Sequence, residues 1–231
     1  MAESLSWLPF LLQTADALFP TGAYAHSLGF EESVRLGLIR DEASLAEFLL
    51  TQIVPALAHH ELPYLRFAYA AAAESDVDEL CMIDCEISAW KLANEIRQAS
   101  AQLGVRRLKA LRVISSAPLL ESYAAEIGHN GVCGHHLIIC ALQAATAGMP
   151  LRAALATYTY QTLAATCAAA LKLIRIGQDG CQRALHRAML ESDHAIDTSL
   201  DIQRADAGWF NPLLEIAAMR HERADERLFI S

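Results

Sequence analysis

Glycine and proline are scarce in this chain, 11 and 7 in 231 residues. So few turn-formers, with abundant alanine and leucine, favour helices over a many-stranded β fold. No alternating apolar–polar run is bounded by an Asn-Gly or Asp-Gly hairpin turn. No apolar stretch reaches the ~18–20 residues that a membrane-spanning helix needs, although mean hydropathy is high at +0.23. Positive charge is also short. Lys and Arg number 18 against 27 Asp and Glu, a net charge of −9. That disfavours nucleic acid as a partner, because binding there is driven by cations on phosphate. The six cysteines lack CxxC spacing, which predicts reduced and mostly buried thiols. The start, Met1-Ala2-Glu3-Ser4, has neither the basic nor the apolar region of a signal peptide, and predicts a cytoplasmic chain.

Catalytic and nucleotide motifs are missing as well. Nothing matches GxxxxGK[ST] or GxGxxG, so no phosphate-cradling loop or dinucleotide fingerprint is present. Ala25-His26-Ser27-Leu28-Gly29 lacks the first glycine of a nucleophile elbow, and no strand precedes it. His60-Glu61 and His221-Glu222 each begin like HExxH, but Tyr64 and Asp225 stand where the second histidine belongs. The chain reads as a non-enzyme without a cofactor.

What is there suffices for one core, with 54% hydrophobic residues. The pattern predicts an all-α, single-domain helical bundle of about ten helices over residues 1–231. Helices are expected at 6–14 and 27–36, with Gly37 as C-cap. The stretch 42–73 is expected to be helical but broken or kinked at Pro55 and Pro63. A turn and helix start are expected at 74–79. The stretches 80–101 and 105–115 read as helix interrupted near Gly104. Pro118 opens a short helix ending at Gly128-His-Asn-Gly131. Helices follow at 135–147 and 151–176, the second apolar nearly all round and expected at the centre of the core. Residues 181–195 read as helix, 197–208 as a loop, and Asn211-Pro212 as the start of a last helix. The tail 221–231 is charged and predicted to be mobile in the free chain.

Four constellations could carry chemistry. His129, Cys133, His135 and His136 are the densest set of soft ligands, suited to Ni, Zn or Cu, or they simply form a turn into the next helix. Cys81 and Cys85 share a helix face, yet two ligands make no site. His59-His60-Glu61 holds adjacent histidines that point about 100° apart on a helix and do not readily chelate one ion. Lys91, Arg97, Arg106, Arg107, Lys109 and Arg112 form a basic stretch opposed by Glu95. It reads either as a solvated face or as a docking surface for an acidic partner. Residues 191–231 are the reverse, with nine acidic and four basic side chains.

Three motifs carry a resemblance. The segment 11–31, LLQTADALFPTGAYAHSLGFE, resembles the N-terminal signature of the UreF family of urease accessory proteins. Gly177-Gln-Asp-Gly-Cys-Gln182 is similar to that family's G-Q-x-x-G-Q turn. Leu214-Glu-Ile-Ala-Ala-Met-Arg-His-Glu222, followed by Arg227-Leu-Phe-Ile-Ser231, is similar to its C-terminal motif. Two positions depart from the pattern. Ala23 replaces the second glycine of a pair, and Asp225-Glu226 replaces a Tyr-Ser pair.

The resemblance implies an all-α homodimer that joins UreD (also called UreH), recruits the GTPase UreG and serves nickel insertion into apo-urease. It implies partner-binding roles for Tyr24, His26, Glu31, Arg220, His221, Glu222 and Arg227, without nucleic acid or membrane as partners. Structural packing or ion pairing is the competing reading of each of these residues. A second functional reading also stays open, a nickel metallochaperone that holds the ion itself through the His129–His136 region.

Overall fold

The computed structural model describes residues 5–16, 18–20 and 30–221. These residues are helical with short connections, and no strand occurs among them. The chain begins with α1 (Trp7–Ala15) and α2 (Phe30–Arg35). A long helical path follows: α3 (Glu42–Phe48), a π segment (Leu49–Ile53), α4 (Val54–Ala56), a second π segment (Leu57–Glu61) and α5 (Leu62–Ala73). Next come α6 (Val77–Trp90), α7 (Asn94–Ile114), α8 (Pro118–Glu126), α9 (His136–Thr146), α10 (Leu151–Leu173), α11 (Gln178–Met189) and α12 (Ser192–Asp201). A 3-10 turn (Arg204–Asp206) leads to α13 (Pro212–His221).

The prolines do not break the path from α3 to α5. Proline lacks an N–H and crowds the preceding turn, so an ordinary α turn would be strained there. Each proline is instead preceded by a wide π turn. The Val54 N–H bonds the Leu49 carbonyl, and the Leu62 N–H bonds the Leu57 carbonyl. Pro63 also leaves the His59 carbonyl without its usual i+4 donor. The Gly208 N–H takes that place at 2.9 Å. A proline in one segment thereby anchors the loop that leads into α13.

The core is centred on α5 and α9, which pack together most extensively, with α7 on the other side of α9. Leu62, Leu65 and Ala68 of α5 and Leu137 through Leu142 of α9, apart from Cys140, are buried. The apolar helix α10 is not the centre as expected. It packs on α5, α9, α11 and α12 but leaves Arg152 and Tyr160 exposed. Its many small Ala and Thr side chains fill less of the interior than the branched residues of α9. The helix expected to end near residue 195 is two helices, α11 and α12, and the second extends to Asp201 through what the sequence reads as loop.

The expected interruption at Gly104 is also displaced. α7 runs straight through Gly104, and the chain breaks at Lys91-Leu92-Ala93. The glycine is there for proximity. A methyl at its Cβ position would overlap the Gly134 carbonyl oxygen and approach the His135 carbonyl carbon and His136 nitrogen to 2.7 Å. The cost of glycine inside a helix, ~1 kcal/mol, is accepted where a second backbone must come this close. Gly134 complements it with φ +74°, a conformation that side-chain-bearing residues rarely adopt.

Gly104→Ala therefore pushes α7 away from the start of α9. It is expected to lower stability by about 3 kcal/mol, as overpacking against fixed backbone does, and to lower Tm by roughly 6–12 °C for a chain of this size. A thermal melt followed by circular dichroism checks this, and an unchanged Tm would contradict the close approach.

Candidate functional site

Two places concentrate polar groups that the core does not require. The first lies where the turn after α8 returns to α6. Asp84 sits on the apolar stripe of α6 with Leu80, Ile83 and Ile87, and is fully buried. A buried carboxylate must be fed hydrogen bonds. The Tyr123 hydroxyl donates to Oδ2 at 2.9 Å, the His135 N–H to Oδ2 at 2.8 Å and the Cys133 N–H to Oδ1 at 2.6 Å. Asp84 thereby fixes the turn 127–135 and the first residues of α9. Burial and the adjacent Asp84 carboxylate push the Tyr123 hydroxyl well above its ordinary pKa, so it stays a donor.

His135 closes this cluster. Its ring is buried, with Nε2 2.8 Å from the Ser88 hydroxyl and Nδ1 3.1 Å from the Ser100 hydroxyl. Burial lowers its pKa to about 4, against the opposing pull of Asp84, so the ring is neutral at neutral pH. The Ser88 hydroxyl also lies 3.6 Å from Cys133 Sγ. One ligand atom each from Asp84, Cys133 and His135 lies within 4.8 Å of the others. This is not a Cys-His-Asp triad, because Asp84 bonds the backbone N–H of His135 while its ring is held by serines.

The soft-ligand set read from the sequence divides accordingly. Cys133 and His135 converge. His136 turns to the other side, with Nε2 3.5 Å from Cys140 Sγ and its ring tilted against Tyr158. His129 is exposed in the turn and is not part of the cluster. Both therefore fall out of the candidate metal set, because a chain entering α9 sends successive side chains in different directions. Asp84, on a separate helix and well before Cys133 in the chain, is the member that sequence reasoning missed. An acid on the apolar stripe of a helix is the signal that marks it. The cysteines are less buried than expected. Cys81, Cys85, Cys133 and Cys140 are half-buried, and Cys167 and Cys181 are fully so.

The second place is a groove where the α6–α7 break meets the loop before α13. His60, Trp90, Lys91, Trp209, Asn211 and Glu215 line a cavity of about 120 Å³. His59 stacks on Trp209 at 5.6 Å, and Gly208 leaves room for the Trp90 ring. The Trp90 indole N–H donates to the Tyr64 hydroxyl at 2.8 Å. The Tyr64 hydroxyl donates to Glu86, which Arg204 clasps at 2.8 and 3.1 Å. Glu61 is half-buried beside Lys91, 3.5 Å away, and accepts from the Tyr158 hydroxyl at 2.7 Å. Burial alone would raise its pKa, yet Lys91 and these partners hold it below the ordinary carboxylate range. Glu215 is the opposite case. Burial raises its pKa, and its Oε2 is buried without a hydrogen-bond partner among the described residues. Around the groove Trp90, Leu92, Phe210, Ile216 and Met219 are exposed, Phe210 to 65%.

Much of the basic stretch is engaged within the chain. Lys91 pairs with Glu61, Arg97 bonds the Lys91 carbonyl at 2.8 Å, and Arg112 pairs with Glu121. Arg107 is buried and donates to Gln143 at 2.8 Å. Arg106 and Lys109 remain exposed.

Among the residues assigned to partner binding, Tyr24, His26, Glu222 and Arg227 lie outside the described residues, as does the tail 222–231. Glu31 lies half-buried on α2, Arg220 is exposed on α13, and His221 ends α13. The two helices pack against each other. The helix that holds the last two residues of the N-terminal motif thus packs on the helix that holds residues 214–221 of the C-terminal motif.

Protonation at the groove should be visible in stability. Burial first, then Lys91, lowers the pKa of His60 from 6.5 to about 4, while Glu61 opposes the shift. Between these values the unfolded chain takes up a proton that the folded imidazole refuses. Stability therefore falls as pH drops from about 6.5 to 4. His135 contributes with the same sign. His60→Gln is expected to flatten the dependence of Tm on pH across this window without abolishing it, as read by thermal melts at pH 7, 6 and 5.

A family model for UreF matches residues 39–189, most of the chain. Curated proteins described as urease accessory protein UreF are similar throughout. One from Arthrobacter sp. (strain FB24) is 33% identical over 231 residues, covering 100% of both chains. One from Paenarthrobacter aurescens (strain TC1) is 33% identical, covering 96% of each. One from Haemophilus influenzae (strain ATCC 51907 / DSM 11121 / KW20 / Rd) is 31% identical, covering 99% of this chain and 97% of its own. The helical fold and both sets of matches agree with the three sequence motifs, and the chain belongs to the UreF family of urease accessory proteins.

Proposed function

We propose that this chain is a non-catalytic scaffold that joins UreD/UreH, recruits the GTPase UreG and serves nickel insertion into apo-urease. The observation that carries the reading is the packing of α2 on α13 beside an exposed apolar rim. Phe210 just before α13, and Ile216 and Met219 one helical turn apart on it, are exposed. Large apolar side chains gathered in one place on an otherwise charged surface suit a partner interface. The buried Oε2 of Glu215, unpartnered among the described residues, adds an acceptor in the groove. The chain lacks a phosphate-binding loop, so GTP hydrolysis belongs to UreG.

In this proposal the protein works in the cytoplasm as a homodimer, with UreD/UreH seated on the α13 face. No helix among the described residues is long and apolar enough to cross a membrane. Tyr24, His26, Glu31, Arg220, His221, Glu222 and Arg227 build the surface that receives UreG. Arginine and tyrosine suit such a role because they concentrate binding energy at interfaces.

Co-purification tests both halves. Phe210→Ala combined with Ile216→Ser is expected to weaken capture of UreD/UreH by at least about tenfold, the loss typical of removing an interface anchor, with an unchanged circular dichroism spectrum. Arg227→Ala is expected to leave UreD/UreH capture intact and to weaken recovery of UreG. Undiminished recovery of both partners by both variants would refute the assignment of this face.

A further inference from the structure

The cluster around Asp84 does more than pin a turn. Holding the turn needs only the carboxylate and the N–H groups of Cys133 and His135. It does not need an imidazole and a thiol directed at one serine hydroxyl. Ser88 Oγ lies 2.8 Å from His135 Nε2 and 3.6 Å from Cys133 Sγ, which marks a point that both side chains face. Asp84 Oδ1 accepts a single hydrogen bond among those identified, from the Cys133 N–H, and a carboxylate oxygen has a second lone pair to give.

We infer that Asp84, Cys133 and His135 form a binding site for one divalent first-row transition ion of the zinc and nickel class. Sulfur, imidazole nitrogen and carboxylate oxygen are the donor types that such borderline ions take, and three protein ligands with one open position make a four-coordinate site. The Ser88 hydroxyl or a water fills the fourth position. The three donor atoms lie within 4.8 Å of one another, whereas ligands around a tetrahedral ion sit ~3.4–3.8 Å apart at the usual bond lengths. Binding therefore draws them together by up to about 1.4 Å. The turn can supply that movement, because Cys133 lies between Gly131 and Gly134, both at positive φ.

The surroundings fit a metal site in two further respects. The Ser100 hydroxyl holds His135 Nδ1, so the ring is already oriented with Nε2 toward the other ligands, as outer-shell partners of metal-bound histidines do. Cys133 is half-buried while Asp84 and His135 are fully buried. An ion arrives from solvent at the thiol and then meets the two interior ligands. On binding, the thiol proton is released to solvent and the ion takes the thiolate.

The site keeps Cys133 and His135 of the His129–His136 set and adds Asp84 in place of the other two, and its test needs neither urease nor the other accessory proteins. The full-length chain, reduced and freed of metal, is titrated with Co²⁺ as an optical probe and then with Zn²⁺ or Ni²⁺ in competition. One Co²⁺ per chain with a thiolate-to-metal charge-transfer band is expected, displaced by Zn²⁺ or Ni²⁺. Cys133→Ser should remove the band and weaken Co²⁺ binding by at least about 30-fold, about 2 kcal/mol at 25 °C. Cys85→Ser and His136→Ala should leave both unchanged. Asp84→Asn tests the third ligand but also disturbs the turn, so Cys133→Ser, whose backbone contacts remain, is the deciding variant. Absence of stoichiometric binding, or a band that survives Cys133→Ser, would overturn the site.

Discussion

A carboxylate buried in an apolar helix face is costly unless hydrogen-bond donors replace the water it has lost. Asp84 meets that demand with one tyrosine hydroxyl and two backbone N–H groups from the turn 127–135. The consequence is positional. α9, which forms the centre of the core with α5, starts from the residue that Asp84 holds. The close passage of Gly104 beneath Gly134 and His135 depends on the same placement. Removing the carboxylate would leave two buried N–H groups and a buried hydroxyl without partners, each costing about 1–3 kcal/mol.

A second constraint arises from two prolines within a helical path. The π turns keep the direction of the chain, and they shift which carbonyls are free. Pro63 frees the His59 carbonyl, Gly208 binds it, and the loop carrying Trp209 is thereby held against His59 and Trp90. The groove beside α13 is thus a consequence of an N–H that Pro63 lacks, in a segment far earlier in the chain. Arg204 fastens the same loop to α6 through Glu79 and Glu86.

The helical class, most helix starts and the family were legible in the sequence, because helical spacing, proline positions and three ordered motifs are local signals. Asp76, for example, caps α6 where the acidic turn was expected. The misreadings share one cause. Gly104 looked like a breaker, but its reason is the backbone of Gly134 and His135, which arrives from beyond the next helix. Lys91-Leu92-Ala93 contains no breaker, yet the helix ends there because Arg97 on the next helix and the distant Glu215 satisfy the freed atoms. Arg97 takes the Lys91 carbonyl, and Glu215 accepts from the Ala93 amide. Of the candidate site, Cys133 and His135 were legible as soft ligands close in sequence. Asp84 was legible only as an acid on an apolar stripe, because the partners that make it part of a cluster, Tyr123, Cys133 and His135, arrive from far along the chain.

The break at 91–93 also links the two polar places. Ser88, which faces His135 and Cys133, stands one helical turn before Lys91, which pairs with Glu61 at the wall of the groove. Lys91 and Arg97 both disfavour a positive charge on His135. A straight helix through Ala101 would have carried Lys91 and Arg97 along one rod, with no edge for Trp209 and Glu215 to close upon. Ending α6 at Trp90 creates the groove's wall and sets cationic groups near the Asp84 cluster at the same time. The groove proposed as a partner surface and the interior where the soft ligands converge are therefore two sides of one helix end, and neither can be rearranged without disturbing the other.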